Sequence, residues 1–169
     1  MSLPVVGTRF IPVRNMGKSH FCTACLGRDS DELIGEKVKD HTKRRNINRG
    51  YMKLEVWQDA MELFKLTSDI MGGAPNVDFR LRSQILDSAQ SIASNIAEGY
   101  CRRSINEYLY FLNVALGSSG EVITRVIGIK LIGQLREGDF ERFDELHYKV
   151  ENKLLALVKS LQAKRAEVV

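Results

Sequence analysis

Residues 91–104 read Ser91-Ile92-Ala93-Ser94-Asn95-Ile96-Ala97-Glu98-Gly99-Tyr100-Cys101-Arg102-Arg103-Ser104. Ile92 and Ile96 close a stripe that starts at Arg82, Ile85 and Ala89, with Leu81 and Leu86 beside it. Steps of three and four place these residues on one face of a helix. Asp78 is the expected N-cap of that helix and Tyr100 its expected end. Ser104, with Glu107 three residues later, is a capping box: hydroxyl and carboxylate would each satisfy a backbone N–H that the next helix leaves orphaned. Two helices joined by so short a junction must lie side by side, and that fixes the class of fold.

The same periodicity extends in both directions. Upstream, Trp57, Ala60, Phe64, Thr67 and Met71 form a helical stripe that Gly72, Gly73 and Pro75 end. Downstream, Tyr108, Leu112, Ala115, Ser119, Val122, Val126 and Ile129 form a third stripe, ending near Gly133. Phe140, Phe143, His147, Val150, Leu154, Leu157 and Leu161 form a fourth, for which Asp139 is the expected cap. Four amphipathic helices with short connections bury their stripes against one another. The expected fold is all-α, an up-down-up-down antiparallel four-helix bundle.

The third helix carries Gly117-Ser118-Ser119-Gly120 in mid-course, and each glycine there costs about 1 kcal/mol relative to alanine. Two explanations stand: close approach of a neighbouring helix in the same chain, or of one in another subunit. This helix also has a second apolar flank of Tyr110, Phe111, Val114, Ile123 and Ile127, wider than one seam needs, which points to oligomerisation.

The chain has 169 residues, 44% of them hydrophobic, enough for a core of ordinary size. No run is long and apolar enough to span a bilayer, and Met1–Phe10 lack the pattern of a secretory signal, so a cytoplasmic location is expected. The formal net charge of +4 is unevenly spread. Residues 1–50 hold ten basic and five acidic side chains; residues 51–169 hold 15 and 16. The excess positive charge therefore lies in the first segment, which contains Pro4, Pro12 and no sustained periodicity. Residues 1–51 are expected to be a poorly ordered basic extension with a short helix around Asp29–Lys39, and residues 52–169 the bundle.

Met16-Gly17-Lys18-Ser19 has the end of a phosphate-binding loop, but Pro12 stands where its earlier glycine is needed. His20, Cys22 and Cys25, with His41 as a fourth donor, have one half of a zinc pattern and no second cysteine pair, so no metal is expected. Asp144-x-x-His147 has no partner to complete a di-iron site, and a seam histidine is expected to be a hydrogen-bonded core residue. No acid, base and nucleophile set appears, and the expectation is a protein without catalytic activity or cofactor.

The junction itself is the strongest local pattern. Asn95, Glu98 and Arg102, spaced by three and four, would share one helix face as a polar ladder, with Gly99 allowing close packing or a bend. This arrangement reads either as a latch that fixes the turn or as a site where Arg102 and Arg103 contact phosphate.

Asn95-Ile96-Ala97-Glu98-Gly99, then arginine and Ser104-x-x-Glu107, do not stand alone. Val56-Trp57-Gln58-x-Ala60 and Ser83-Gln84 precede them; Phe111-Leu112 and Ala115-x-Gly117-Ser118-x-x-Glu121 follow. Together, over about residues 52–160, these motifs resemble the four-helix bundle proteins encoded in intervening sequences of bacterial large-subunit ribosomal RNA genes. The accessory variability determinant of diversity-generating retroelements belongs to the same superfamily. The resemblance implies an up-down-up-down bundle, a homopentamer shaped as a tapered barrel and no enzymatic activity. For the retroelement branch it also implies a basic surface that binds nucleic acid and a reverse transcriptase. The chain departs from the pattern in having Cys101 where glycine is common, in the extension before residue 51 and in a bundle that is not basic overall.

Two functions from different classes follow. One is an RNA- or DNA-binding accessory protein presenting Arg102, Arg103, Arg80, Arg82 and the cluster Lys43, Arg44, Arg45 and Arg49 to phosphates, multiplied by repetition in a ring. The other is a homo-oligomeric scaffold that binds a protein partner, without nucleic acid, through the third helix and the surface of the first.

Overall fold

Each helix starts and stops where a local group satisfies the backbone. The computed structural model describes Thr42, Arg44 and residues 46–167. These all belong to the second of the two units into which the chain divides, Lys37–Val169. Among the described residues there are one 3-10 helix, Ile47–Lys53, and four α-helices: α1 Glu55–Gly72, α2 Phe79–Cys101, α3 Ile105–Leu131 and α4 Glu137–Glu167. No strand occurs among them. The expected helix at Asp29–Lys39, the cluster of His20, Cys22, Cys25 and His41, and Lys43 and Arg45 lie outside the described residues.

Gly73 ends α1 by donating its N–H to the carbonyls of Asp69 and Ile70, both at 3.1 Å. Asp78 caps α2 as expected, its carboxylate accepting from the N–H groups of Arg80 at 2.9 Å and Leu81 at 3.2 Å. At α3 the capping box is half made. Ser104 Oγ accepts from Asn106 N–H at 3.2 Å, while exposed Glu107 makes no bond back to Ser104. Gly133, at φ +71°, ends α3 with its N–H on Lys130 O at 2.9 Å, and Gln134 N–H reaches Ile129 O at 3.0 Å. This pair of bonds is a Schellman closure, and its left-handed position suits glycine. Asp139 is not the cap of α4. The helix begins two residues earlier, and Asp139 sits inside the first turn, where it accepts from Arg136 Nε at 2.7 Å. An acidic residue in that position also favours the helix dipole.

The four stripes meet in one core. Ile85, Ala89, Ile92 and Ile96 of α2 are fully buried with Leu112, Ala115 and Val122 of α3, Ala60 and Leu63 of α1, and Phe143, Val150 and Leu154 of α4. Each such aliphatic side chain contributes about 1.5–3 kcal/mol when removed from water. α1 packs on α2 and α4, and α3 packs on α2 and α4, with α2 against α3 the most extensive contact. That seam is lined with small side chains, and Ser91 and Ser118 share a hydrogen bond at 3.0 Å across it. The 3-10 helix crosses residue 52 and packs on α1 and α2. No helix among the described residues is long and apolar enough to cross a membrane.

Among the described residues, none makes the close approach to the mid-α3 glycines that was one of their two explanations. A β-carbon at Gly117 or Gly120 would meet nothing within 4 Å. Their serine neighbours occupy the interior instead: Ser119 is fully buried and its Oγ lies 2.9 Å from His147 Nε2. His147, stacked on Phe143, is the hydrogen-bonded core histidine expected from its place on the seam.

These two environments make opposite predictions. Gly99→Ala should lower stability by about 1–3 kcal/mol, because its β-carbon would lie 2.7 Å from Tyr108 Cδ2 and 3.2 Å from Tyr108 O. Gly117→Ala should raise the stability of a single, unassembled chain by about 1 kcal/mol through helix propensity. Urea unfolding of both variants checks this, and a loss at Gly117 would point to another subunit packed against it.

Candidate nucleic-acid interface

The α2–α3 junction is built on the absence of a side chain at Gly99. Without a β-carbon there, Tyr108 and Phe111 press directly on the last turn of α2. The chain leaves α2 at Arg102, whose backbone is extended, and re-enters a helix at Ile105. The Arg102 guanidinium folds back to pair with Glu98 and lies 4.9 Å over the Phe111 ring. It is thus held by a carboxylate on one side and an aromatic face on the other. Asn95 does not join this pair. Its Nδ2 donates to Ser91 O at 2.7 Å and Ser91 Oγ at 2.9 Å, so the expected three-residue ladder is two separate contacts. Arg103 is exposed and forms no ion pair among the described residues.

The 3-10 helix sits on this same end. Tyr51 packs edge-on against Trp57 at 5.3 Å and against Tyr100 at 6.2 Å, and Tyr100 packs likewise against Tyr108 at 6.2 Å. A β-carbon at Gly50 would overlap the Tyr100 hydroxyl, so this approach also depends on glycine. The Cys101 thiol points to Asn48 O at 3.3 Å, a weak donor contact that ties the end of α2 to the 3-10 helix. Arg49 Nη1 donates to Arg44 O at 2.9 Å and Thr42 Oγ1 at 3.2 Å, folding the preceding residues back on themselves. Arg102 and Arg103 follow the end of α2, and the 3-10 helix that carries Arg49 and Lys53 packs on α1 and α2 with Tyr51 against Tyr100, so these four basic residues belong to one end of the bundle, with Arg44 joined to Arg49 through its carbonyl.

Two other expected arginines are elsewhere. Arg80 is on the first turn of α2, about 33 Å from Arg102 along the helix. Arg82 Nη2 donates to Ala74 O at 2.8 Å and Val77 O at 3.4 Å, clamping the α1–α2 connection. Neither belongs to the junction cluster. Of the small residues, Gly117 is exposed and Ser118 is buried against Ser91.

Two features were missed in the sequence. Asp59, only 7% exposed, lies on the buried face of α1, where Lys149 Nζ of α4 meets Oδ1 at 3.0 Å. Lys153 Nζ lies 2.7 Å from Oδ2, a close ion pair not aligned as a hydrogen bond, and also reaches Glu55 at 2.8 Å. The signal was available, since Asp59 falls between Val56 and Leu63 on the apolar stripe. The second feature is the charge order of α4. Glu137, Asp139, Glu141, Asp144 and Glu145 open it against Arg142 alone; Lys149, Lys153, Lys159, Lys164 and Arg165 close it against Glu151 and Glu167. This order follows the helix dipole. It also carries α4 past Glu55, the first residue of α1, as a basic segment about 21 Å long. The near-neutral charge of the bundle conceals this separation. Among the described residues, no group of three or more His, Cys, Asp or Glu is placed to hold a metal ion.

Burial, and then neighbouring Tyr100, push the Tyr108 hydroxyl up to about 12 from the usual 10.0. The folded chain thus keeps a proton that the unfolded chain loses as pH rises from 10.0 to about 12, and stability falls across that window. Asp59 first and Glu55 second hold the Lys153 ammonium above the ordinary lysine range, a contribution present below the unfolded lysine value and lost as pH passes the folded one. The alkaline loss of stability should therefore shrink in Tyr108→Phe, as read from urea midpoints at neutral and alkaline pH. An unchanged loss would remove Tyr108 as its source.

Residues 52–156 match the family described as 23S rRNA-intervening sequence protein. A solved structure with the same fold is a protein of unknown function from the S23 ribosomal protein family of Bacteroides thetaiotaomicron VPI-5482. It is 21% identical, covers 62% of this chain and 95% of its own, and has a TM-score of 0.58. No curated protein matches the chain significantly. With more than half of its length matched by the family, this chain belongs to the 23S rRNA-intervening sequence proteins.

Proposed function

We propose that this chain is a non-catalytic accessory protein that binds structured RNA or DNA with one end of an up-down-up-down bundle, repeated in a homopentamer. The observation that carries the reading is the junction end of the bundle, where Arg102 lies over Phe111, Arg103 is exposed, and the 3-10 helix bearing Arg49 and Lys53 packs with Tyr51 against Tyr100. Basic groups interleaved with aromatic ones are what a phosphate backbone and its bases require. The antiparallel order is supported by paired contacts that run in opposite directions: Lys149 and Lys153 with Asp59 and Glu55, and Ser91 with Ser118 below the Gly99–Tyr108 crossing. In that order the basic close of α4 projects at the same end as the junction.

Assembly is supported by the outer ridge of α3. Gly117, Gly120, Thr124, Ile127, Gly128 and Leu131 are exposed, with no neighbour over the glycines among the described residues, and Leu131 is 81% exposed. Small residues that leave a helix backbone open suit a second helix packed closely against it. In a ring, weak phosphate contacts are multiplied by effective concentration. A second reading is a scaffold for a protein partner, such as a reverse transcriptase, without nucleic acid. It is favoured by the apolar tip at the other end, where Phe79 is 82% and Ile132 62% exposed.

Gel-shift titration with a structured RNA tests the first reading. A chain starting at Ile47 should bind as the full chain does, weakening steeply with salt. Arg103→Ala should reduce the slope of log K against log salt by about 1, and Arg102→Ala by less, because Glu98 already pairs with that guanidinium. No binding by either chain would favour the scaffold. Sedimentation should give the mass of a pentamer, and a monomer at micromolar concentration would overturn the assembly.

A further inference from the structure

We infer that Tyr110, backed by Phe111 and Arg102, is a stacking platform for unpaired bases, so that the RNA held at the junction is single-stranded where it meets α3. This rests on the nucleic-acid reading and specifies the form of its ligand.

Tyr110 is 64% exposed, yet its ring is not loose: it packs edge-to-face on Phe111 at 5.3 Å with an interplanar angle of 81°. Phe111 is itself held from its other neighbours. Its β-carbon lies against Gly99, and the Arg102 guanidinium covers its ring. Arg102 is in turn fixed by Glu98. The result is a chain of contacts from carboxylate to guanidinium to the Phe111 ring, with Tyr110 set edge-to-face on Phe111 and open to solvent. Among the described residues no other ring or cation stacks on Tyr110, and its hydroxyl makes no hydrogen bond there.

The surrounding charge favours a phosphate chain over an apolar protein surface. Arg103, exposed and without an ion pair among the described residues, lies in the turn that leads into α3, and the 3-10 helix with Arg49 and Lys53 is tied to the same end of α2 through Cys101 and Asn48. Glu98 is neutralised by Arg102; Glu107 is the remaining acidic group on the first turn of α3. A duplex keeps its base faces inside its own stack and offers an exposed ring nothing to cover it. A single strand offers base faces that stack on aromatic rings while arginines follow its backbone.

Fluorescence anisotropy of the full chain tests this with three labelled RNAs: an unstructured single strand, the same strand with abasic sites, and a blunt duplex. The intact single strand should bind most tightly. Tyr110→Ala should weaken it about ten-fold, Tyr110→Trp should restore it, and neither should alter binding of the abasic strand or the native mass. Equal affinity for duplex and single strand would overturn the inference while leaving the nucleic-acid reading intact. So would a Tyr110→Ala variant that loses intact and abasic strands alike, or one that changes only the native mass, which would place Tyr110 in a subunit contact. Failure of the full chain to bind any of the three would remove the nucleic-acid reading itself.

Discussion

A β-carbon cannot be placed at position 99 while Tyr108 and Phe111 stand where they do, and much of this molecule depends on that exclusion. Closeness at Gly99 lets the chain turn from α2 into α3 within three residues. It lets the two helices share the longest seam in the bundle, and it brings Phe111 under Arg102. A methyl group there would press first on the Tyr108 ring and the Phe111 β-carbon and then on the Tyr108 carbonyl, and the last two cannot rotate away. The arginines are displayed where they are because the turn has no slack.

Charge is organised more finely than its total indicates. The acidic opening and basic close of α4 nearly cancel in sum but lie at different places along the helix. Asp59 adds a second constraint. A carboxylate so deeply placed on α1 requires partners, and Lys149 and Lys153 supply them from α4, tying the two helices in register. A basic end thus arises from ordinary structural needs, the helix dipole and a buried acid, as well as from the junction arginines.

The helix glycines divide the same way. Gly99 of α2 is spent inside the bundle, whereas Gly117 and Gly120 of α3 meet nothing among the described residues. A cost in helix propensity with no return among the described residues is what draws attention to assembly, and the exposed Ile127 and Leu131 lie on the same ridge. Tyr110 belongs to the first turns of α3 and the glycines to its middle, so the two proposed surfaces on this helix are separate.

Much of this was legible without coordinates. The helix stripes, the Asp78 cap, the Gly133 stop and the core place of His147 are local or periodic properties, written in spacings of three and four and in residues with particular backbone preferences. The family match spans the same helices, over residues 52–156. The roles of individual polar side chains were not legible. Arg82 and Arg102 both looked available to phosphate, but Arg82 is committed to two carbonyls and Arg102 to Glu98 and an aromatic face. Asn95 turned to Ser91, and Asp59 found its lysines ninety residues away in the chain. Sequence alone determined where helices form and which faces they bury, because those follow from near neighbours. Only the tertiary structure decided which charges remain free and which glycines touch anything, because those depend on helices that meet across the fold.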